Sequence, residues 1–137
     1  LGDEAEVKGE VPVGALIVDE AGASLGRGFN QPISSHDPTA HAEIVALREA
    51  ALTACNYRLP GATLSVTVEP CVMCAGALMN ARLSRVVFGA REPKWGAFGS
   101  RVDVRDLSLN HKVEVIAGVL EEEAADKLRR FFRERRG

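Results

Sequence analysis

The spacing of apolar residues changes period along the chain, and each change marks an element. The apolar run over residues 13–18 and the segment over residues 24–29 flank the turn-forming Asp19-Glu20-Ala21-Gly22-Ala23, a pattern that predicts a β-hairpin. A loop over residues 31–35 comes next. Asp37-Pro38 then offers an N-cap and an N1 proline, and Ile44, Leu47, Ala51 and Ala54 recur at helical spacing. They predict an amphipathic helix of roughly fifteen residues, ended by residues 56–61. Residues 63–68 read as a strand. Glu69-Pro70 repeats the acid-proline start, and residues 71–81 read as a second helix, rich in small side chains. A strand over 84–89, an irregular stretch over 90–110 long enough to be a functional loop, and a strand over 112–117 follow. Ala124, Ala125, Leu128, Phe131 and Phe132 mark a terminal amphipathic helix. The order of elements implies an α/β layer sandwich with a mixed sheet. The opening hairpin is antiparallel, and the later strands are parallel where helices cross over.

Composition narrows the class. A chain of 137 residues fits one domain, residues 1–137, and can bury roughly two thirds of its unfolded surface. With 46% apolar and 26% charged residues it is neither disordered nor collagen-like. No apolar run approaches the roughly eighteen residues of a membrane span, and no secretory signal is visible, so a cytoplasmic location is expected. The first residue is Leu1, so the numbering is expected to begin inside a longer natural sequence. Two of the three cysteines, Cys71 and Cys74, have a metal-binding spacing rather than that of a disulfide framework, which fits a reducing compartment. The formal charge of −2 shows no overall affinity for nucleic acid. Residues 127–136, however, hold six basic side chains against the single acidic Glu134, a local charge of +5.

The chemistry concentrates at the starts of the two central helices. Cysteines three apart at a helix start project from one face, and the exposed N–H groups there favour thiolates. His41 adds a nitrogen from the other helix start, which gives a His-Cys-Cys set that zinc accepts in tetrahedral geometry with a fourth position for water. Glu43 lies two residues from His41. On a regular helix the two side chains would diverge, so they can cooperate only at the first turn. The bland alternative is a closed structural zinc site completed by Cys55, His36 or His111. Cys55 lies past the end of its helix and reads more simply as a buried small apolar residue.

Thr39-Ala40-His41-Ala42-Glu43 with Glu69-Pro70-Cys71-Val72-Met73-Cys74 resembles the signature described for zinc deaminases, tRNA adenosine deaminases among them. Flanking segments extend the likeness to the bacterial tRNA-specific adenosine deaminase family over nearly the whole chain. They include Glu10-Val11-Pro12-Val13-Gly14-Ala15, Asn30 with Pro32, Asn56-Tyr57-Arg58-Leu59, Asn110-His111 and Phe131-Phe132. The resemblance implies a cytidine deaminase-like, three-layer α/β/α sandwich with about five strands in a mixed central sheet. It implies one zinc per chain on His41, Cys71 and Cys74, with Glu43 as the catalytic acid and base. The reaction would convert adenosine to inosine at the wobble position of tRNA, with tRNA-Arg expected. Asn30 and the Ala42 backbone N–H would hold the base, and Arg91, Glu92, Lys94, Asn110, Phe131 and Arg135 are candidate contacts to the anticodon stem-loop. A homodimer, with no membrane association, is also implied. The chain departs from the family pattern in several places. Only residues 1–9 precede Glu10, Glu92 stands where Asp is expected, and Trp95 and Phe98 stand where small residues are expected, so both aromatics read as core or subunit-interface packing. The segment before Asn110 is one residue short.

Two other functions share these residues: deamination of a free base or nucleoside of the guanine or cytosine type, and a non-catalytic zinc-stabilised RNA-binding module. Glu43, unneeded as a ligand, argues against the module, and the basic terminal stretch argues against a small free substrate. If that stretch meets phosphates, replacing Arg133, Arg135 and Arg136 with Gln should weaken tRNA binding and flatten the plot of log affinity against log salt. Each lost contact should remove about 0.7–0.9 from the slope. An unchanged slope with unchanged deamination would make the stretch no more than a complement to its helix dipole.

Overall fold

A glycine-bearing strand and an alanine-bearing helix set the frame. In the computed structural model, which describes residue 3, residues 9–107 and residues 111–119, β1 (Gly14–Val18) and β2 (Ser24–Phe29) form the expected antiparallel hairpin. The free edge of β1 pairs antiparallel with β3 (Thr63–Val68), Ala15 opposite Val66. Beyond β3 lie β4 (Arg85–Ala90) and β5 (Glu114–Ile116), both parallel to it. The sheet of five strands runs β2-β1-β3-β4-β5, and β1 alone points against the rest. This is the mixed sheet expected from the sequence. Each parallel step needs a crossover. Helix α2 (Ala42–Ala54) carries the chain from β2 past β1 to β3, α3 (Val72–Asn80) carries it from β3 to β4, and the two helices touch. Between helices and sheet lies the core, with Ile17, Leu64, Leu78, Leu83, Val86 and Phe88 fully buried. The amphipathic helix expected over residues 124–132 lies outside the described residues.

Two expectations change. Residues 31–35 are not plain loop, because Pro32–Ser35 forms one helical turn, α1. Proline presets the first turn, and the Ile33 and Ser34 N–H groups donate to the fully buried Glu10 carboxylate at 3.1 and 2.6 Å. The acid-proline pairs, in turn, do not cap helices. Asp37 instead accepts the Thr39 N–H and hydroxyl at 2.9 and 2.7 Å, a local turn that competes with helix, and α2 starts later with His41 as its N-cap residue. Glu69 likewise turns away from α3, which begins after Cys71.

Helix α2 lies directly on β2 because neither surface has bulk. Ala42, Ala46 and Ala50 recur every four residues on its buried face. A Cβ on Gly28 would meet Ala42 O and Val45 Cβ at 2.7 Å, and one on Gly26 would meet Ala46 O at 2.5 Å. Backbone fills that space, so it cannot yield cheaply. Gly28→Ala should lower stability in urea unfolding by about 1–3 kcal/mol, the usual range for overpacking. Gly76, on the exposed face of α3 with nothing within 4 Å of its added Cβ, provides the opposite case. Gly76→Ala should raise stability by about 0.5–1 kcal/mol through helix propensity.

Candidate metal centre

His41 and Cys71 are both N-cap residues with extended backbone, φ −69°, ψ 153° and φ −76°, ψ 176°. This conformation turns each side chain away from its helix, so residues 30 apart in sequence meet at the C-terminal ends of β2 and β3. Cys74, one turn into α3, completes the group. The Cys71 and Cys74 sulfurs lie 3.6 and 3.5 Å from His41 Nδ1, and all three potential ligand atoms lie within 4.8 Å of one another. Zinc–sulfur and zinc–nitrogen bonds of about 2.3 and 2.05 Å at a tetrahedral angle separate S from N by about 3.5 Å. The donor set therefore fits zinc in both chemistry and spacing.

Electrostatics agree with that fit. The Cys74 thiol donates to Cys71, and this bond, with help from His41, lowers the Cys71 thiol to about 4. Cys74 is pushed far upward by donating that same bond and by burial. The pair shares one proton, a place that a divalent cation takes over because metal ligands must be deprotonated. Among the described residues, no other group of three such side chains is placed to hold a metal. The alternative ligands are elsewhere. His36 ends α1 at φ 52°, and His111 hydrogen-bonds the Leu83 carbonyl through Nε2 at 2.5 Å. Cys55 is exposed, which corrects the expectation of burial: it is the left-handed C-cap of α2, at φ 51°, outside the core.

Glu43 sits in the first turn of α2, only 4% exposed, with its side chain beside the two thiols. Burial raises its carboxyl to about 7, where it can both take and give a proton near neutrality. His41, Cys71, Glu43 and Asn30 line one cavity of about 670 Å³. Asn30 is anchored by its backbone N–H to the Val13 carbonyl at 3.0 Å, while its side-chain amide has no partner among the described residues. Ala42 is fully buried at the first position of α2, the end at which helix N–H groups lack internal partners.

The far wall comes from the long loop, and its anchor is Glu69, which the local pattern reads only as the acid of a helix start. Glu69 is 3% exposed, and its carboxylate accepts the N–H groups of Glu92, Phe98 and Ser100 at 3.2, 3.0 and 3.1 Å, together with the Ser100 hydroxyl. Only glycine fits at position 96, where a Cβ would lie 2.5 Å from that carboxylate. A bridge between Cys71 and Gly96 fastens the loop to the cysteine itself. Of the loop candidates, Glu92 lines the cavity and accepts the Lys94 N–H, while Arg91 and Lys94 are exposed. Phe98 is in the core as expected. Trp95 is not: it is 64% exposed and lines the cavity. Asn110, Phe131 and Arg135 lie outside the described residues.

Comparison with known proteins gives the same answer as the geometry. Residues 1–90 match the family model of the cytidine and deoxycytidylate deaminase zinc-binding region. A tRNA-specific adenosine deaminase of Haemophilus influenzae is 53% identical over 99% of this chain and 79% of its own length. One from Bacillus subtilis is 46% identical over 97% and 83%. A solved structure from work on A-to-I editing by tRNA:A34 deaminases at the wobble position of transfer RNA superposes with a TM-score of 0.84. It is 41% identical and covers 93% of this chain and 92% of its own. With a zinc-fitting His-Cys-Cys group at the matched helix starts, the chain belongs to the zinc-binding cytidine and deoxycytidylate deaminase family, alongside relatives named tRNA-specific adenosine deaminases.

Proposed function

We propose that the protein hydrolyses adenosine to inosine at the wobble position of tRNA. The convergence of His41, Cys71, Glu43 and Asn30 on one cavity carries the proposal, with the substrate named for its relatives fixing the base. His41, Cys71 and Cys74 hold the zinc, which when bound supplies the Lewis acidity that makes a water nucleophilic at neutral pH. Glu43 takes one proton from the attacking water and passes it to the ring nitrogen as the oxygen bonds to C6. It then takes the second proton of that oxygen and passes it to the amino group, which leaves C6 as ammonia. Its place in the first turn of α2, buried in the cavity beside the metal ligands, holds the carboxyl where this shuttle runs. Asn30, with its amide facing no described partner, holds the purine edge together with the Ala42 N–H at the start of α2.

The base must leave its stack to enter the cavity, so recognition extends to the anticodon stem-loop around it. Arg91, Glu92 and Lys94 stand on the loop that forms the cavity wall, and Asn110, Phe131 and Arg135 complete the proposed RNA surface. Pairing of two copies and a cytoplasmic site of action belong to the same proposal. They rest on the family and on cysteines spaced for metal rather than for disulfides. No described helix is long and apolar enough to cross a membrane.

Glu43→Gln should remain folded with about one zinc per chain by elemental analysis. Its inosine formation on bacterial tRNA, read by sequencing, should fall by about two to four powers of ten. Loss of zinc in that variant would make Glu43 a ligand instead. Asn30→Ala should keep zinc and folding but lower kcat/KM on tRNA about tenfold, the cost of one hydrogen bond in a buried site. Undiminished turnover would reduce Asn30 to a residue of the strand end.

A further inference from the structure

Large aromatic side chains are costly to leave in water, and Trp95 is left there by a backbone that cannot easily move. The residues on either side are tied down: Glu92 N–H and Phe98 N–H both donate to buried Glu69, the Gly96 N–H donates to the Glu92 carbonyl at 2.8 Å, and the Phe98 ring is buried. The indole is thus held out at a fixed place rather than folded into the core. That place is the cavity that holds Glu43 and His41. Exposure grades along this cavity from Glu43 at 4% to Trp95 at 64%, so Glu43 marks the floor and Trp95 the rim. Val72 and Met73, both exposed, add apolar surface at the same rim.

Resting on the proposed reaction, we propose that Trp95 is a stacking platform for the nucleobase next to the adenosine that enters the cavity. A flipped nucleotide leaves its neighbour with an uncovered face, and an indole fixed at the cavity mouth covers it. Such stacking tolerates any base because every base has a π-face. It therefore adds affinity for a single-stranded RNA loop without fixing the sequence, and it adds nothing for free adenosine.

Trp95 is the only tryptophan in the chain, so indole fluorescence reports this contact alone. Zinc-loaded Glu43→Gln protein, which binds without turnover, would be titrated with an RNA hairpin carrying adenosine at the wobble position. Emission should be quenched on binding and should stay unquenched when the bases flanking that adenosine are replaced by abasic sites. In the otherwise native enzyme, Trp95→Ala should raise KM for the hairpin about 5- to 150-fold, with kcat and zinc content kept, and Trp95→Phe should recover most of the loss. Hairpin binding with unaltered emission would overturn the stacking role while leaving the deaminase intact. Failure of the native protein both to bind and to deaminate the hairpin would overturn the stacking role and the proposed reaction together. Conversion of a dimer to monomer by Trp95→Ala, seen in sedimentation, would make Trp95 a subunit contact and overturn the proposal.

Discussion

The direct contact of α2 with β2 fixes where every other part of the site can be. Two glycines on the strand and three alanines on the helix remove the side chains that ordinarily space these layers apart. The helix start is thereby set against the end of β2, and His41 and Glu43 enter the cavity at a depth decided by backbone rather than by flexible side chains. Cys71 and Cys74 enter from the next crossover, at the end of β3. Ligands from one helix start meet ligands from the other because the two crossover helices touch side by side.

Buried carboxylates do the corresponding work for the loops. Glu10 gathers the N–H groups of α1 on one side of the cavity, and Glu69 gathers those of residues 92–100 on the other. An unpaired buried charge is expensive, and each of these is met by several donors, so the loops are held wherever those donors converge. Irregular backbone acquires a defined shape in this way without regular secondary structure.

This explains which features were legible in the sequence. The hairpin, β3 and the two crossover helices follow from local alternation and periodicity, and the metal group follows from residue chemistry at helix starts. The helix boundaries were misplaced because Asp37-Pro38 serves equally well as a cap or as a side-chain-closed turn, and the distant Gln31–Ala40 backbone bond favours the turn. Glu69 was seen only as part of a motif because its partners lie 23 to 31 residues away. Cys55 reads as a buried apolar residue and Trp95 as core or subunit-interface packing, yet in the folded chain the exposure of Cys55 is decided by an αL cap and that of Trp95 by a tethered loop. Residue type says what a side chain prefers. Long-range hydrogen bonds decide whether the backbone allows it.

The separation of 30 residues between His41 and Cys71 has a consequence for the unfolded chain as well as for the folded one. An ion held by both closes a long segment that includes all of α2 and β3, and in this respect it acts as a reversible cross-link. The same donors brought together for chemistry thus restrict chain entropy between the first crossover and the second. Metal supply then adds to the stability of the fold as well as enabling turnover, because an ion that binds the folded chain and not the unfolded one shifts the balance toward the folded state.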